Sequence, residues 1–171
     1  DAQNAYRRGP LTLSGIEPAL AACARLLARA RALNVPVIHI QHDAGPGTPF
    51  DTRSESGAFI DAVAPQPGET VVVKHFPNAF VGTDLDAHLK GLGARHLVIA
   101  GFMTHNCVNS TARGAYNLGY SFTVPGNTTA TRALPAIGGG ELDAATLQAA
   151  LLVALTDVFG VVVADEAEIP D

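Results

Sequence analysis

Three side chains in this sequence have the types that acyl-group chemistry needs: a thiol at Cys107, an amine at Lys74 and a carboxylate at Asp1. Cys107 closes the segment Gly101-Phe102-Met103-Thr104-His105-Asn106-Cys107, which follows the apolar run His96-Leu97-Val98-Ile99-Ala100 and opens a helical pattern reaching Leu118. A cysteine in the first turn of a helix faces unpaired N–H groups and the positive end of the helix dipole, both of which favour a thiolate. The same N–H groups can hold an oxyanion. Attack on an amide or ester also needs a base for the thiol proton and a cation beside the sulfur. Lys74, directly after Val71-Val72-Val73, supplies the cation. Asp1 can supply the carboxylate if a strand leads into it.

The elements that must bring these groups together are short and alternate. Runs at 35–40, 70–73, 96–100, 120–124 and 160–164 are apolar and rich in β-branched residues, without strict alternation, as in strands buried on both faces. Between them lie helical patterns. The first follows Ser14, with Glu17 placed for a capping box and Ile16, Leu20, Cys23 and Leu27 on one stripe. A second runs from Leu85 to Leu92, capped by Thr83 or Asp84 and stopped by Gly93. The third is Cys107 to Leu118. The last carries Leu147, Leu151, Ala154 and Val158. Alternation of this kind predicts right-handed βαβ units and a parallel sheet covered on both sides, in one domain over 1–171. Ligands in such sheets sit beyond the carboxyl ends of the strands, where Lys74 and Cys107 fall. The stretch from His42 to Gly57 is a long loop of the sort that often carries function.

Bulk properties exclude several classes. The 171 residues are 47% hydrophobic and 16% charged, which fits a globular fold rather than a disordered chain. A net charge of −5 with no basic cluster argues against nucleic-acid or anionic-membrane partners. Two cysteines do not make a disulfide framework, so both read as thiols in a cytoplasmic setting. No G-x-G-x-x-G phosphate loop is present, which weighs against a flavodoxin-like module that only binds a nucleotide.

Three segments together resemble the isochorismatase-like cysteine hydrolases, the superfamily that includes nicotinamidases. Asp1-Ala2-Gln3-Asn4 resembles their "I-D-x-Q-N" segment. Lys74-His75-Phe76-Pro77-Asn78-Ala79-Phe80, with Thr83 and Leu85, resembles their lysine segment. Gly101 to Val108, then Thr111-Ala112 and Gly119-Tyr120, resembles their nucleophile segment. The resemblance spans nearly the whole chain. It implies a three-layer α/β/α fold around a doubly wound, mostly parallel six-stranded sheet, with one central strand ahead of residue 1. It implies an Asp1–Lys74–Cys107 triad and an oxyanion hole from the N–H groups of Met103 and Cys107. A cis peptide at Phe102–Met103, no cofactor and a homo-oligomer (dimer or tetramer) are also implied. Two chemistries stay open: hydrolysis of a small amide or ureido C–N bond through a thioester, and an isochorismatase-type cleavage of a vinyl ether that needs no thiol.

Other residues have a plain reading beside the functional one. Gln3, Tyr6, His42, Phe80, His105 and Asn106 are candidates for lining the substrate pocket, against simple packing. His39, His42 and Asp43 suggest a metal, but His39 and His42 fall on opposite faces if the strand continues, and no metal is expected. Cys23 sits on an apolar stripe and reads as core. His88 and His96 read as surface residues, and Asn127-Thr128-Thr129-Ala130-Thr131 as a structural turn.

Overall fold

The computed structural model describes residues 1–170. Helix α1 (Ile16–Ala32) leads to strands β1 (Ile38–His42) and β2 (Thr70–Lys74), helix α2 (Leu85–Gly91), and strands β3 (His96–Val98) and β4 (Gly101–Phe102). Helix α3 (Asn109–Asn117), strands β5 (Ser121–Pro125) and β6 (Thr129–Ala130), the pair β7 (Leu134–Pro135) and β8 (Glu141–Leu142), helix α4 (Ala144–Thr156) and strand β9 (Val161–Val163) complete it. This is the expected α/β alternation. Strand β1 pairs with β2, and β3, β5 and β9 pair in that order, all parallel. β4 and β6 prolong the β3–β5 pairing, also in parallel. The short antiparallel β7–β8 pair has no counterpart in the expected pattern. The sixth strand of that expectation would precede Asp1, outside the described residues.

Two apolar clusters show the layering. One packs Ile16, Leu20 and Cys23 of α1 against Tyr6, Phe102 and Met103. The other gathers Leu85 and Leu89 of α2, Ala112 and Ala115 of α3 and Leu155 of α4 against Val72, Phe122 and Val124. One helix therefore covers one face of the strands and three cover the other. A fully buried Leu or Phe is worth roughly 1.5–3 kcal/mol in such a core, and Phe122 and Leu155 are among the most deeply buried side chains.

Two local expectations differ from the structure. Ser14 and Glu17 form no capping box. Gly15 is the N-cap of α1, with φ 71° and no side-chain cap. Glu17 instead binds Arg7 through both carboxylate oxygens at 2.8 and 3.0 Å, and the Ser14 N–H donates to Thr131 O at 2.8 Å. Contacts with distant segments have taken the groups that a local cap would use. Cys107 likewise lies not in the first turn of an α-helix but in a wider π-helical turn, Thr104–Val108, which runs directly into α3.

The first residues are threaded between the strand groups. Asp1 O accepts from Phe102 N at 3.2 Å, while Ala2 O accepts from Ile60 N at 2.9 Å. Gly101, at φ +117°, makes room for this. A Cβ there would stand 3.1 Å from the Asp1 backbone nitrogen, so only glycine fits both the conformation and the approach.

Candidate active site

Lys74 is the last residue of β2, and its register partner is His42, the last residue of β1. Adjacent residues in a parallel register share a face, so both side chains rise from the carboxyl end of the sheet. The Lys74 side chain is 1% exposed and the Asp1 side chain 3%. Lys74 Nζ donates to Cys107 Sγ at 3.2 Å and to Phe76 O at 3.1 Å, and it faces His42 Nδ1 at 3.2 Å. An ammonium has three N–H groups, and these contacts use them all. The Asp1 carboxylate stands at 3.6 Å from Nζ as an ion-pair partner. The structure thus brings Asp1, Lys74 and Cys107 together from three remote segments.

The electrostatics follow from burial. Desolvation pushes the Lys74 ammonium below its usual range, opposed by the adjacent Cys107 sulfur. His42 is pushed down to about 4, first by burial and then by the charge of Lys74. It is neutral at pH 7, so the Nδ1 lone pair accepts from Lys74 and the ring proton sits on Nε2. The Cys107 side chain is closely packed, at 6% exposure for the residue.

Tyr6 has a larger part than a pocket wall. It is 1% exposed, and its hydroxyl donates to Asp1 Oδ2 at 3.1 Å. Burial, and after it the neighbouring Cys107 sulfur, push the phenol well above its ordinary value. It therefore stays protonated as a donor to the Asp1 carboxylate. Phe50, from the long loop, packs at 5.2 Å against both the Tyr6 and the His42 rings. Nothing in the sequence marked Phe50 beyond its place in that loop.

The remaining candidates separate. Gln3 is fully buried, and its amide is spent on main-chain groups of His42 and Gly57. It holds the site's frame and has no donor left for a substrate. Phe80 stacks on Tyr120 with ring centroids 6.0 Å apart. His105 binds Thr131 Oγ1 at 2.5 Å and is lowered by burial and by the charge of Arg132. Asn106, half-buried, and Met103, buried, sit on either side of it in the nucleophile turn. The Phe102–Met103 peptide is cis.

Of the histidines considered for a metal, His39 binds Glu69 Oε2 at 2.8 Å and His42 faces Lys74. They serve different partners on opposite sides of β1. Cys23 is buried on the core stripe, with its thiol donating to Thr128 O at 3.1 Å and pushed up to about 11 by burial.

Residues 1–166 match the family model described as "Isochorismatase domain". The chain belongs to the isochorismatase family of hydrolases. The structure of an isochorismatase from Pseudomonas putida KT2440 superposes with a TM-score of 0.95 at 39% identity, covering 99% of this chain and 87% of that one. The secreted isochorismatase effector Isc1 of Verticillium dahliae is 35% identical over 97% of this chain and 85% of its own. The ureidoacrylate amidohydrolase RutB of Methylorubrum extorquens is 31% identical over 83% of this chain and 72% of its own. In this isochorismatase-family hydrolase the carboxyl ends of β1 and β2 carry His42 and Lys74, and the turn that holds Cys107 follows β4. Among the described residues, no helix is long and apolar enough to cross a membrane.

Proposed function

We propose that this chain is a cysteine hydrolase that cleaves a small amide or ureido C–N bond through a thioester on Cys107. The observation that carries the reading is the contact of Lys74 Nζ with Cys107 Sγ at 3.2 Å, with the Asp1 carboxylate 3.6 Å from the same nitrogen. A buried cation touching sulfur stabilises a thiolate, and a buried carboxylate beside it can take the thiol proton. The likeness to an amidohydrolase, RutB, supports a C–N bond as the target. Nucleophile, cation and base are all protein groups in this reading.

Asp1 accepts the Sγ proton and the thiolate attacks the carbonyl carbon, forming the S–C bond. The N–H groups of Cys107 and Met103 hold the oxyanion. As the C–N bond breaks, protonated Asp1 delivers its proton to the departing nitrogen, which leaves as ammonia or an amine. Water then attacks the thioester and gives a proton to Asp1. The acid is released and Sγ leaves as thiolate, regaining the proton.

Incubation with a panel of small amides and carbamoyl compounds, followed by acid quench and intact-mass measurement, tests this reading. The expected result is an acyl adduct on Cys107 with at least one member, absent in Cys107→Ala. Turnover that persists in Cys107→Ala, or turnover of a vinyl ether but no amide, overturns it.

A further inference from the structure

The ion pair between Lys74 and Asp1 is held open. On the surface, Lys90 Nζ and Asp86 Oδ2 close to 2.6 Å. Lys74 Nζ and Asp1 Oδ2 stand 3.6 Å apart, although both side chains are almost fully buried. Burial removes the water that screens opposite charges and strengthens their attraction, so an unconstrained pair here would be the tighter of the two. The three N–H groups of the ammonium are instead met by Cys107 Sγ at 3.2 Å, Phe76 O at 3.1 Å and His42 Nδ1 at 3.2 Å. The first partner is the nucleophile and the second is main chain two residues from Lys74 itself. The third is a side chain, and its chemistry depends on the residue placed there.

His42 is fixed for this task. Its N–H and C=O are both paired with the Gln3 side chain at 2.8 and 2.9 Å. Its place at the end of β1, in register with Lys74, brings the ring to the ammonium. Phe50 stands against the ring at 83° with centroids 5.2 Å apart. An acceptor at this point has to be uncharged. A second carboxylate would neutralise the ammonium and withdraw the charge that favours the thiolate. A neutral imidazole takes the hydrogen bond without taking the charge, and a bond accepted at Nδ1 leaves the ring proton on Nε2. Burial, Lys74, His75 and the Asp1 amino group all disfavour the imidazolium, and Asp43 alone opposes them.

We propose that His42 is a positioning residue: by accepting the third N–H of Lys74 it holds the ammonium on the Cys107 sulfur and keeps it off the Asp1 carboxylate. The carboxylate is thereby left basic enough to take the thiol proton, and the positive charge stays with the sulfur. The proposal rests on the cysteine-hydrolase reading for the use made of the thiolate, but the hydrogen bond and the acidity of the thiol are measured without turnover.

The experiment is the pH dependence of Cys107 alkylation by iodoacetamide, localised by peptide mass, in the wild type, His42→Phe and His42→Asn, with a thermal melt of each. Phe keeps a ring against Phe50 but offers no acceptor, and Asn places an oxygen near the Nδ1 position. The alkylation midpoint should rise by about one pH unit in His42→Phe, a roughly tenfold loss of thiolate below the midpoint. It should return to within about 0.3 pH unit of the wild type in His42→Asn. On the amide identified by the panel, kcat should fall roughly tenfold in His42→Phe with KM held within about threefold, because the substrate still binds and the sulfur is less ionised. A midpoint unchanged in His42→Phe overturns the assignment, as does a His42→Asn protein that melts with the wild type yet keeps the midpoint of the Phe variant. Nitrogen NMR of the wild-type ring gives a second measurement that needs no variant to fold. The Nε2–H tautomer is expected at pH 7, and the Nδ1–H tautomer or an imidazolium there overturns the assignment. Failure of the hydrolase reading looks different: the midpoints and the tautomer come out as expected, yet no member of the panel is turned over and Cys107 gains no acyl mass.

Discussion

Gln3 and His42 are joined twice. The Gln3 amide nitrogen donates to His42 O at 2.9 Å, and its carbonyl oxygen accepts from His42 N at 2.8 Å. One side chain thus pairs with a strand end as a neighbouring strand would, and it also donates to Gly57 O at 2.7 Å. The pairing holds Asp1, two residues away, beside the Lys74 that β2 places next to His42. Gln3→Leu keeps the approximate volume and takes this partner from His42 N and His42 O, while Gly57 O keeps its bond from Gln41. It should cost about 2–4 kcal/mol, from a penalty of roughly 1–3 kcal/mol for each buried polar group left unsatisfied. The shift of the urea midpoint at constant slope measures it.

Tyr6→Phe isolates the hydroxyl. The ring remains packed on Phe50 and Phe102, so stability should drop by only about 1 kcal/mol. The donor to Asp1 Oδ2 is lost, and kcat/KM on the amide identified by the panel should fall roughly ten- to hundredfold, the worth of a hydrogen bond to a charged group. Steady-state kinetics beside a thermal melt separates the two effects.

His42 predicts a pH dependence of stability. Its folded value of about 4 lies below the ordinary 6.5, so between those limits the unfolded chain binds the proton and the folded one does not. Stability from this group is therefore lost as pH falls from about 6.5 to about 4, and no further below that. The charged or titratable side chains acting on the ring are Lys74, His75 and Asp43. His42→Asn places an oxygen acceptor near the Nδ1 position and cannot titrate. Urea midpoints between pH 4 and 7 should show a shallower slope for the variant than for the wild type. Parallel curves would contradict the prediction.

Gly57→Ala tests the frame of the long loop. A Cβ there would stand 2.1 Å from Asp51 O, a backbone atom that cannot move aside alone. Gly57 O also accepts from Gln3 and Gln41. The substitution should destabilise the fold by about 2 kcal/mol or more and slow Cys107 alkylation by iodoacetamide. Chemical denaturation and alkylation kinetics read out the two effects.

Much of this was legible in the residues themselves. The apolar β-branched runs and helical stripes are local patterns, so the α/β alternation and the places of Lys74 and Cys107 at strand ends follow from short windows of sequence. Local reasoning failed where distant groups competed for the same atoms. Ser14 and Glu17 have the spacing of a cap, yet Thr131 and Arg7 take them. Gln3 and Tyr6 looked like pocket residues. Contacts across 39 and 54 positions turn Gln3 into a strut, and the Asp1 carboxylate turns Tyr6 into a buried donor.

The sequence by itself determined which groups were available: a thiol and an amine, each close behind an apolar run that must be buried, and a carboxylate at Asp1. Only the tertiary structure decided that the thiol and the carboxylate share one ammonium, and that the Tyr6 hydroxyl donates to the Asp1 carboxylate. The physical reason is range. Burial patterns are written in neighbouring residues, whereas hydrogen-bond and charge partners are set by which strand ends the fold brings side by side.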